Sequence, residues 1–205
     1  MIDKFEVIKT LGQGGSSKVF QVKNEQDEYF AAKVLRKDKN YNYQRGCSLL
    51  KKEHCTTSKL EDHPNILKSF YTNPEGSFIH NGKKEDVMYN VIEFAENGSL
   101  SNFVRITGSI EEGLVRFMFS QILNAVSYMH SFGIAHLDLK LENILLDKYF
   151  NIKVADLGVA HETTKLNTKC PHRRGTVIYM APEVVDLQKG KTFDPFKADI
   201  YSLGV

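Results

Sequence analysis

Apolar and polar residues alternate in the first third of the chain and change period in the second half. Phe5-Glu6-Val7-Ile8 and Val19-Phe20-Gln21-Val22 repeat every second residue, as half-buried strands do, and the glycine-rich stretch between them predicts a turn. Phe30–Leu35 is a further β-leaning segment in which one charged residue, Lys33, interrupts an apolar run. Tyr89–Glu93 reads as a buried strand running into a polar connector that ends at Gly98. Among these strands Gln44–Leu60 is the long helix candidate, and Asn73–Lys84, with Pro74, Gly76 and Gly82, reads as an unusually long loop between two strands. Further on, Leu114, Phe117, Met118, Ile122, Ala125, Val126 and Met129 recur at three and four, which predicts an amphipathic helix with that stripe in the core and Gly133 as its C-cap. Ile144–Leu146 and Ile152–Val154 flank the turn-like Asp147–Asn151 and predict a small hairpin. Strands followed by helices make this an α+β chain in two lobes, with the boundary near Ala95–Gly98 and the ligand site expected in the cleft between them.

Composition narrows the classes. A hydrophobic fraction of 41% and a charged fraction of 25% over 205 residues are those of an ordinary globular chain with a sizeable core. A net charge of +2 leaves no basic excess to drive binding to nucleic acid or an anionic membrane, so neither is expected as a partner. Met1-Ile2-Asp3-Lys4 lacks the apolar core of a secretory signal, Ile2 excludes the myristoylation pattern, and no segment approaches a membrane span. Cys47, Cys55 and Cys170 are too few and too scattered for a disulfide framework, which points to a reducing, cytoplasmic setting. Cys170, His172 and His161 read as loop residues of mixed kind, because no second ligand pair follows at zinc spacing.

The densest chemistry lies in His136-Leu137-Asp138-Leu139-Lys140-Leu141-Glu142-Asn143, followed by Asp156-Leu157-Gly158. Asp138 is a carboxylate fit to steer a hydroxyl nucleophile, Lys140 a cation to meet a phosphate, and Asn143 and Asp156 are hard oxygen donors of the kind Mg²⁺ prefers. Phosphoryl transfer leaves a protein little covalent work, so its rate comes from positioning and charge neutralisation, which this set supplies. The predicted hairpin brings Asn143 and Asp156 together. In Leu11–Val19, glycines between two strands let backbone N–H groups approach phosphates, although a Gly/Ser-rich hairpin turn alone would look the same.

These residues resemble the catalytic loop, magnesium motif and glycine-rich loop of the eukaryotic protein kinase domain, of the serine/threonine type. The resemblance implies a two-lobed α+β fold: residues 1–95 as a strand-rich N-lobe of a five-stranded sheet plus one helix, and 96–205 as an incomplete helical C-lobe holding the catalytic loop, the activation segment and the start of the central helix. It implies ATP and Mg²⁺ as cofactors, with Asn143 and Asp156 on the metal, Asp138 as base and Lys140 balancing developing charge. Leu11 would contact the nucleotide, and Gly12, Gly14 and Ser17, the last in place of a third glycine, would line its phosphates. Lys33 would contact the α/β-phosphates and pair with Glu53, an assignment that requires a one-residue insertion in Leu60-Glu61-Asp62 and puts Thr57 at a commonly apolar position. Val19 and Ala31 would cover the adenine and Leu145 support it, the backbones of Glu93 and Ala95 would hydrogen-bond it, and Ile92 would guard a rear pocket. Arg174–Glu183 resembles the end of a kinase activation loop, with Thr176 bridging Asp138 and Lys140, which points to protein serine or threonine hydroxyls as substrates. Oligomeric state is not legible.

Three departures stand out. Leu157 replaces the family's phenylalanine. Leu137 replaces an arginine that in many relatives grips a phosphate on the activation loop, so activity is expected not to need phosphorylation of Thr163, Thr164 or Thr168 through that contact. Ala198–Val205 resembles only the opening of the helix around which the lower lobe is built, with Asp199 bracing the catalytic loop, so several helices, and the arginine partner of Glu183, are expected outside this sequence. A catalytically impaired kinase-like binding module or scaffold is the alternative function. Its usual mark is loss of the lysine, the base or the magnesium aspartate, and Lys33, Asp138, Asn143 and Asp156 are all present. A small-molecule phosphotransferase would share the aspartate and asparagine but not Gly175-Thr176 and Ala181-Pro182-Glu183.

Overall fold

The computed structural model describes residues 1–14, 17–35, 42–60 and 63–205. It divides into two compact units, Met1–Lys59 with Leu67–Ala95, and Leu60–Ile66 with Glu96–Val205. The first is strand-rich and the second holds most of the helix, an α+β arrangement.

In the first unit, β1 (Glu6–Gln13), β2 (Ser17–Lys23), β3 (Tyr29–Leu35), helix α1 (Tyr43–Thr57), β4 (Ser69–His80) and β5 (Lys83–Ile92) follow in sequence. The sheet has the order β1-β2-β3-β5-β4, antiparallel throughout. Period-two alternation gives it two different faces. Phe20, Val22, Ala32, Val34, Val87, Tyr89 and Val91 form one core with Ile2 and Phe5. On the opposite face Leu35 and Met88 pack against Leu50 of α1.

The expected loop Asn73–Lys84 is instead mostly strand. β4 runs to His80, passes Pro74 at an irregularity between Asn73 and Gly76, and turns on Asn81 and Gly82, at φ 49° and 73°. Two positive-φ residues, Asn then Gly, match the twist of the flanking strands. The strand persists because the N-terminal segment ties it down. Met1 and Ile79 exchange backbone hydrogen bonds, Asp3 N–H donates to Ser77 O, and the Asp3 carboxylate accepts from Ser77 N–H (2.8 Å), Ser77 Oγ (3.0 Å), Asn73 Nδ2 (2.8 Å) and Tyr89 Oη (2.7 Å). Burial pushes the Asp3 carboxyl up, but the hydrogen bonds from Tyr89, Ser77 and Asn73 outweigh it and hold the group below its ordinary value. Ile2 and Phe5 beside it are buried, at about 1.5–3 kcal/mol each. Gly76 fits because a Cβ there would collide with the Tyr89 ring.

Helix α1 begins at the N-cap Asn42, whose side chain accepts from Arg45 N–H, and it stops at Thr57 rather than at Leu60. Ser58 N–H and Oγ both turn back to His54 O, and Leu60, fully buried, belongs to the core of the second unit. The proposed insertion lies partly outside the described residues, at Glu61 and Asp62.

The second unit contains α2 (Leu100–Thr107), α3 (Glu112–Ser131), β6 (Ile134–Ala135), β7 (Ile144–Leu146), β8 (Ile152–Val154), β9 (His161–Glu162), α4 (Pro182–Val185) and α5 (Pro195–Leu203). β7 and β8 form the small hairpin, and β6 pairs with β9. From α3, Met118, Ile122, Ala125, Val126 and Met129 enter the main core, and Gly133 at φ 73° follows the helix end. Leu114 and Phe117, assigned to the same stripe from sequence, are 39% and 57% exposed. Leu114 lies in the first turn, ahead of the packed region, and Phe117 stands about 100° around the helix from Met118. Gln121 takes the intervening place in the buried face. Its Oε1 accepts from Asn65 Nδ2 (2.8 Å) and Ile152 N–H (2.9 Å), which anchors β8. Ala135, Leu137, Cys170, Ala181, Val184, Phe193 and Ala198 form a second core.

Candidate active site

In the first unit, Leu11 and Gly12 lie near the end of β1, and Gly14 N–H donates to Ser17 O (2.9 Å) across the turn. Gly15 and Ser16 lie outside the described residues. Val19 pairs across the sheet with Gly12 on one side and Lys33 on the other, and Ala31 is buried two residues before Lys33. Lys33 Nζ meets Glu53 Oε2 at 2.8 Å, with the two side chains 16% and 7% exposed. Water screens such a pair little, so removing either partner leaves an uncompensated buried charge, about 3–5 kcal/mol. Glu53 thus lies on the inward face of α1, and Thr57 one turn on donates its hydroxyl to Glu53 O. β5 ends at Ile92, Glu93 N–H donates to Lys68 O (2.8 Å), and Ala95 closes the unit.

In the second unit the loop after β6 is fixed from below by Asp199 of α5, a fully buried carboxylate. It accepts from His136 N–H, Leu137 N–H and His130 Nε2, each at 2.8 Å. These bonds hold Leu137 at φ 61°, a left-handed conformation that costs an ordinary residue about 1–2 kcal/mol. His136, also fully buried, carries its proton on Nε2, since that atom donates to Ala155 O (2.9 Å) while Nδ1 accepts from Asp138 N–H (3.1 Å).

Asp138 is thereby presented with both carboxylate oxygens engaged. The Thr176 hydroxyl donates to Oδ1 (2.7 Å) and accepts from Lys140 Nζ (2.8 Å), which also meets Asp138 Oδ2 at 2.8 Å. Asn143 Nδ2 donates to Asp138 O (2.8 Å) and Oδ2 (3.0 Å), which leaves Oδ1 as the atom with which Asn143 can ligate a cation. Thr176 can reach because Gly175, at φ 103°, lies against Leu137 O, where a Cβ would clash. A small cleft beside the carboxylate is lined by Asp138, Arg174, Thr176, Tyr179, Met180 and Ser202.

The β7–β8 hairpin joins Asn143 to Asp156. Asn143 directly precedes β7, Ala155 N–H donates to Asn143 O (2.9 Å), and Asp156 follows at φ 67°, a conformation that aspartate tolerates better than most residues. An amide oxygen and a carboxylate suit a hard cation such as Mg²⁺. Leu145 sits half-buried in the middle of β7. Leu157 fills a core position, so an aliphatic side chain serves there.

Sequence reasoning gave no role to several residues that build this site. The imidazole of His136 links the loop after β6 to the residue before Asp156, and His130 supplies the third bond to Asp199. Arg174 Nη1 donates to Val159 O and Ala160 O, both at 3.1 Å, and so ties the segment bearing Thr176 to the turn after Asp156. Only the HxDxKxxN spacing signalled the first of these; the other contacts join residues too far apart in sequence to leave a local mark.

Residues 5–205 match the protein kinase domain family. The whole chain is 37% identical over 211 residues to CBL-interacting protein kinase 31 of Oryza sativa subsp. japonica, covering 43% of that protein. It is 38% identical over 215 residues to serine/threonine-protein kinase AtPK2/AtPK19 of Arabidopsis thaliana, covering 40% of it. Over 95% of its length it is 35% identical to the cell cycle serine/threonine-protein kinase CDC5/MSD2 of Saccharomyces cerevisiae. The chain therefore spans about two fifths of the first two relatives and 26% of the third. A match across nearly its full length, together with an aspartate, lysine and threonine in mutual hydrogen-bond contact, makes the chain a member of the protein kinase domain family.

Proposed function

We propose that this chain transfers the γ-phosphoryl group of ATP to serine or threonine hydroxyls of proteins. The observation that carries the reading is the closed set Asp138–Thr176–Lys140, in which one hydroxyl bridges the carboxylate and the ammonium. The serine/threonine kinases among its relatives support the substrate class.

Asp138 accepts a hydrogen bond from the substrate hydroxyl and aims its lone pair at the γ-phosphorus. The oxygen–phosphorus bond forms, the bond to the β-phosphate oxygen breaks, and ADP leaves. The hydroxyl proton passes by way of Asp138 to solvent. Lys140 balances charge on the moving group, and Thr176 keeps both side chains in their working rotamers. Asn143 Oδ1 and the Asp156 carboxylate would hold Mg²⁺, which neutralises phosphate charge when bound. Lys33, oriented by Glu53, takes the α/β-phosphates, with the backbones of Gly12, Gly14 and Ser17 around them. Leu11, Val19, Ala31 and Leu145 flank the adenine, the backbones of Glu93 and Ala95 hydrogen-bond it, and Ile92 stands behind it. The kinase N-lobe then corresponds to the first unit, residues 1–95 without the stretch Leu60–Ile66, and the C-lobe to that stretch with the residues from 96 onward. Among the described residues no helix is long and apolar enough to cross a membrane. With Cys47, Cys55 and Cys170 all outside disulfides, a reducing cytoplasmic setting suits the chain, and transfer of phosphate to proteins suits a role in signalling.

The test is radiolabel transfer from γ-labelled ATP to a basic protein rich in serine and threonine, with Asp138→Asn alongside. The variant is expected to lose about 10²-fold or more in rate while retaining Mg-ATP binding, because it removes the proton acceptor and its charge pairing with Lys140 but leaves the residues proposed to hold Mg-ATP unsubstituted. Equal labelling by both proteins would overturn the assignment of Asp138, and Mg-ATP binding without transfer by the wild type would favour the scaffold.

A further inference from the structure

A row of polar side chains crosses the sheet on the face that α1 covers. Lys33 on β3 is the cross-strand partner of Asn90 on β5, and Asn90 is the partner of Thr72 on β4. Directly opposed residues share a face. Asn90 is fully buried, between Tyr89 and Val91 in an otherwise apolar stretch of strand. A buried amide is costly unless its hydrogen bonds are made, and an aliphatic residue would fill this place without that demand. Both ends of the amide are used. Its Oδ1 accepts from Thr72 Oγ1 at 2.6 Å, and its Nδ2 donates to the carbonyl of Leu50 in α1 at 2.9 Å. A carbonyl has two lone pairs, so α1 keeps its own hydrogen-bond ladder at that point.

Leu50 precedes Glu53 by three residues and lies on the same helical face. On the other side of Glu53, His54 Nδ1 meets Ser69 Oγ of β4 at 2.9 Å. Polar contacts to the sheet therefore bracket the glutamate. Apolar packing of Leu50 against Leu35 and Met88 holds α1 near the sheet but allows small slides and rotations. The Asn90 bond is directional, and it is made in the setting in which Glu53 Oε2 lies 2.8 Å from Lys33 Nζ.

We infer that Asn90, oriented by Thr72, is a positioning residue that sets α1 so that Glu53 meets Lys33, and that it acts on the nucleotide only through that pair. The inference rests on the reading of the chain as an ATP-using kinase, and its test separates the two. Mg-ATP affinity is measured for the wild type, Asn90→Leu, Glu53→Gln and the double variant. Reactivity of Lys33 toward an amine-acylating reagent, read by peptide mass spectrometry, needs no nucleotide.

Asn90→Leu is expected to weaken Mg-ATP binding about tenfold and to raise Lys33 labelling several-fold, while the double variant binds no more weakly than Glu53→Gln alone, the non-additivity of residues acting through one contact. Thr72→Val removes the donor at almost constant volume and is expected to shift both readouts the same way, and Thr72→Ser, which keeps the hydroxyl, to restore them. Should Asn90→Leu fail to fold, Thr72→Val carries the comparison. Unchanged Lys33 labelling in both variants, or full additivity with Glu53→Gln, would overturn the positioning role. A wild type that binds no Mg-ATP would sink the kinase reading, and Lys33 labelling would still decide for or against the latch.

Discussion

Replacing Asp199 by asparagine changes one atom and is expected to cost the second unit about 3 kcal/mol. The carboxylate is fully buried and accepts three hydrogen bonds, from the backbones of His136 and Leu137 and from His130 Nε2. Asparagine keeps one oxygen. The imidazole of His130 can accommodate the new amide by shifting its proton to the other nitrogen, but a backbone N–H cannot. One of the two amides is then left facing an NH₂ group, at about 1–3 kcal/mol, and the other loses its charged acceptor, about 1 kcal/mol more. The left-handed conformation of Leu137 stays unfavourable while the bond that held it weakens. Because the chain has no tryptophan, equilibrium urea unfolding is best followed by far-UV circular dichroism. Asp186→Asn, at an exposed position, serves as the control and is expected within about 0.5 kcal/mol of wild type. If Asp199→Asn fell within that same margin at unchanged denaturant slope, the buried carboxylate would not be what holds the loop bearing Asp138.

Two further outcomes follow from other contacts. Asp3 is held below its ordinary value of 3.8, so as the pH falls the unfolded chain takes up a proton before the folded one does; the stability Asp3 contributes is complete above that value and disappears through the folded pKa below it. The gap in urea midpoint between wild type and Asp3→Asn should therefore narrow as the pH is lowered below 3.8, and a gap that stayed constant into strong acid would show that the hydrogen bonds do not depend on charge. Replacing Thr163, Thr164 and Thr168 together by alanine is expected to leave the phosphorylation rate within about threefold, since Leu137 offers no charge to a loop phosphate and the segment is tied down by the Cys170–Phe193 backbone pair and by Arg174; a loss of tenfold, about 1.4 kcal/mol, would contradict this.

Where a family motif links distant residues, the resemblance anticipated which side chains meet. The order of glycine loop, strand and Lys33 marked out the residue that meets Glu53, and Asp138-Leu139-Lys140 with a distant Gly175-Thr176 marked out three side chains that touch. The hairpin between Asn143 and Asp156 was visible as two apolar runs around a turn. Failures occurred where a residue's state depends on a remote partner. Pro74 and Gly76 look like loop residues, yet β4 continues through them because Asp3, some seventy positions earlier, accepts from Asn73 and Ser77. The end of α1 was misplaced because Leu60 is apolar and in phase with the helix but is buried in another core. Phe117 and Leu114 have the right period, and periodicity cannot say which turns of a helix are covered. Asn90 received no reading from sequence, since both of its partners lie on other elements.

The β7–β8 hairpin makes the two oxygen donors at its ends a transferable unit. Asn143 enters the ladder and Asp156 leaves it, with Ile144–Val154, Leu145–Lys153 and Leu146–Ile152 as the rungs. A chimaera that imports residues 143–156 as one cassette would bring their mutual geometry with it. An exchange that joined one native strand to a foreign partner out of step by a single residue would turn every side chain of that strand to the opposite face and carry Asp156 away from Asn143.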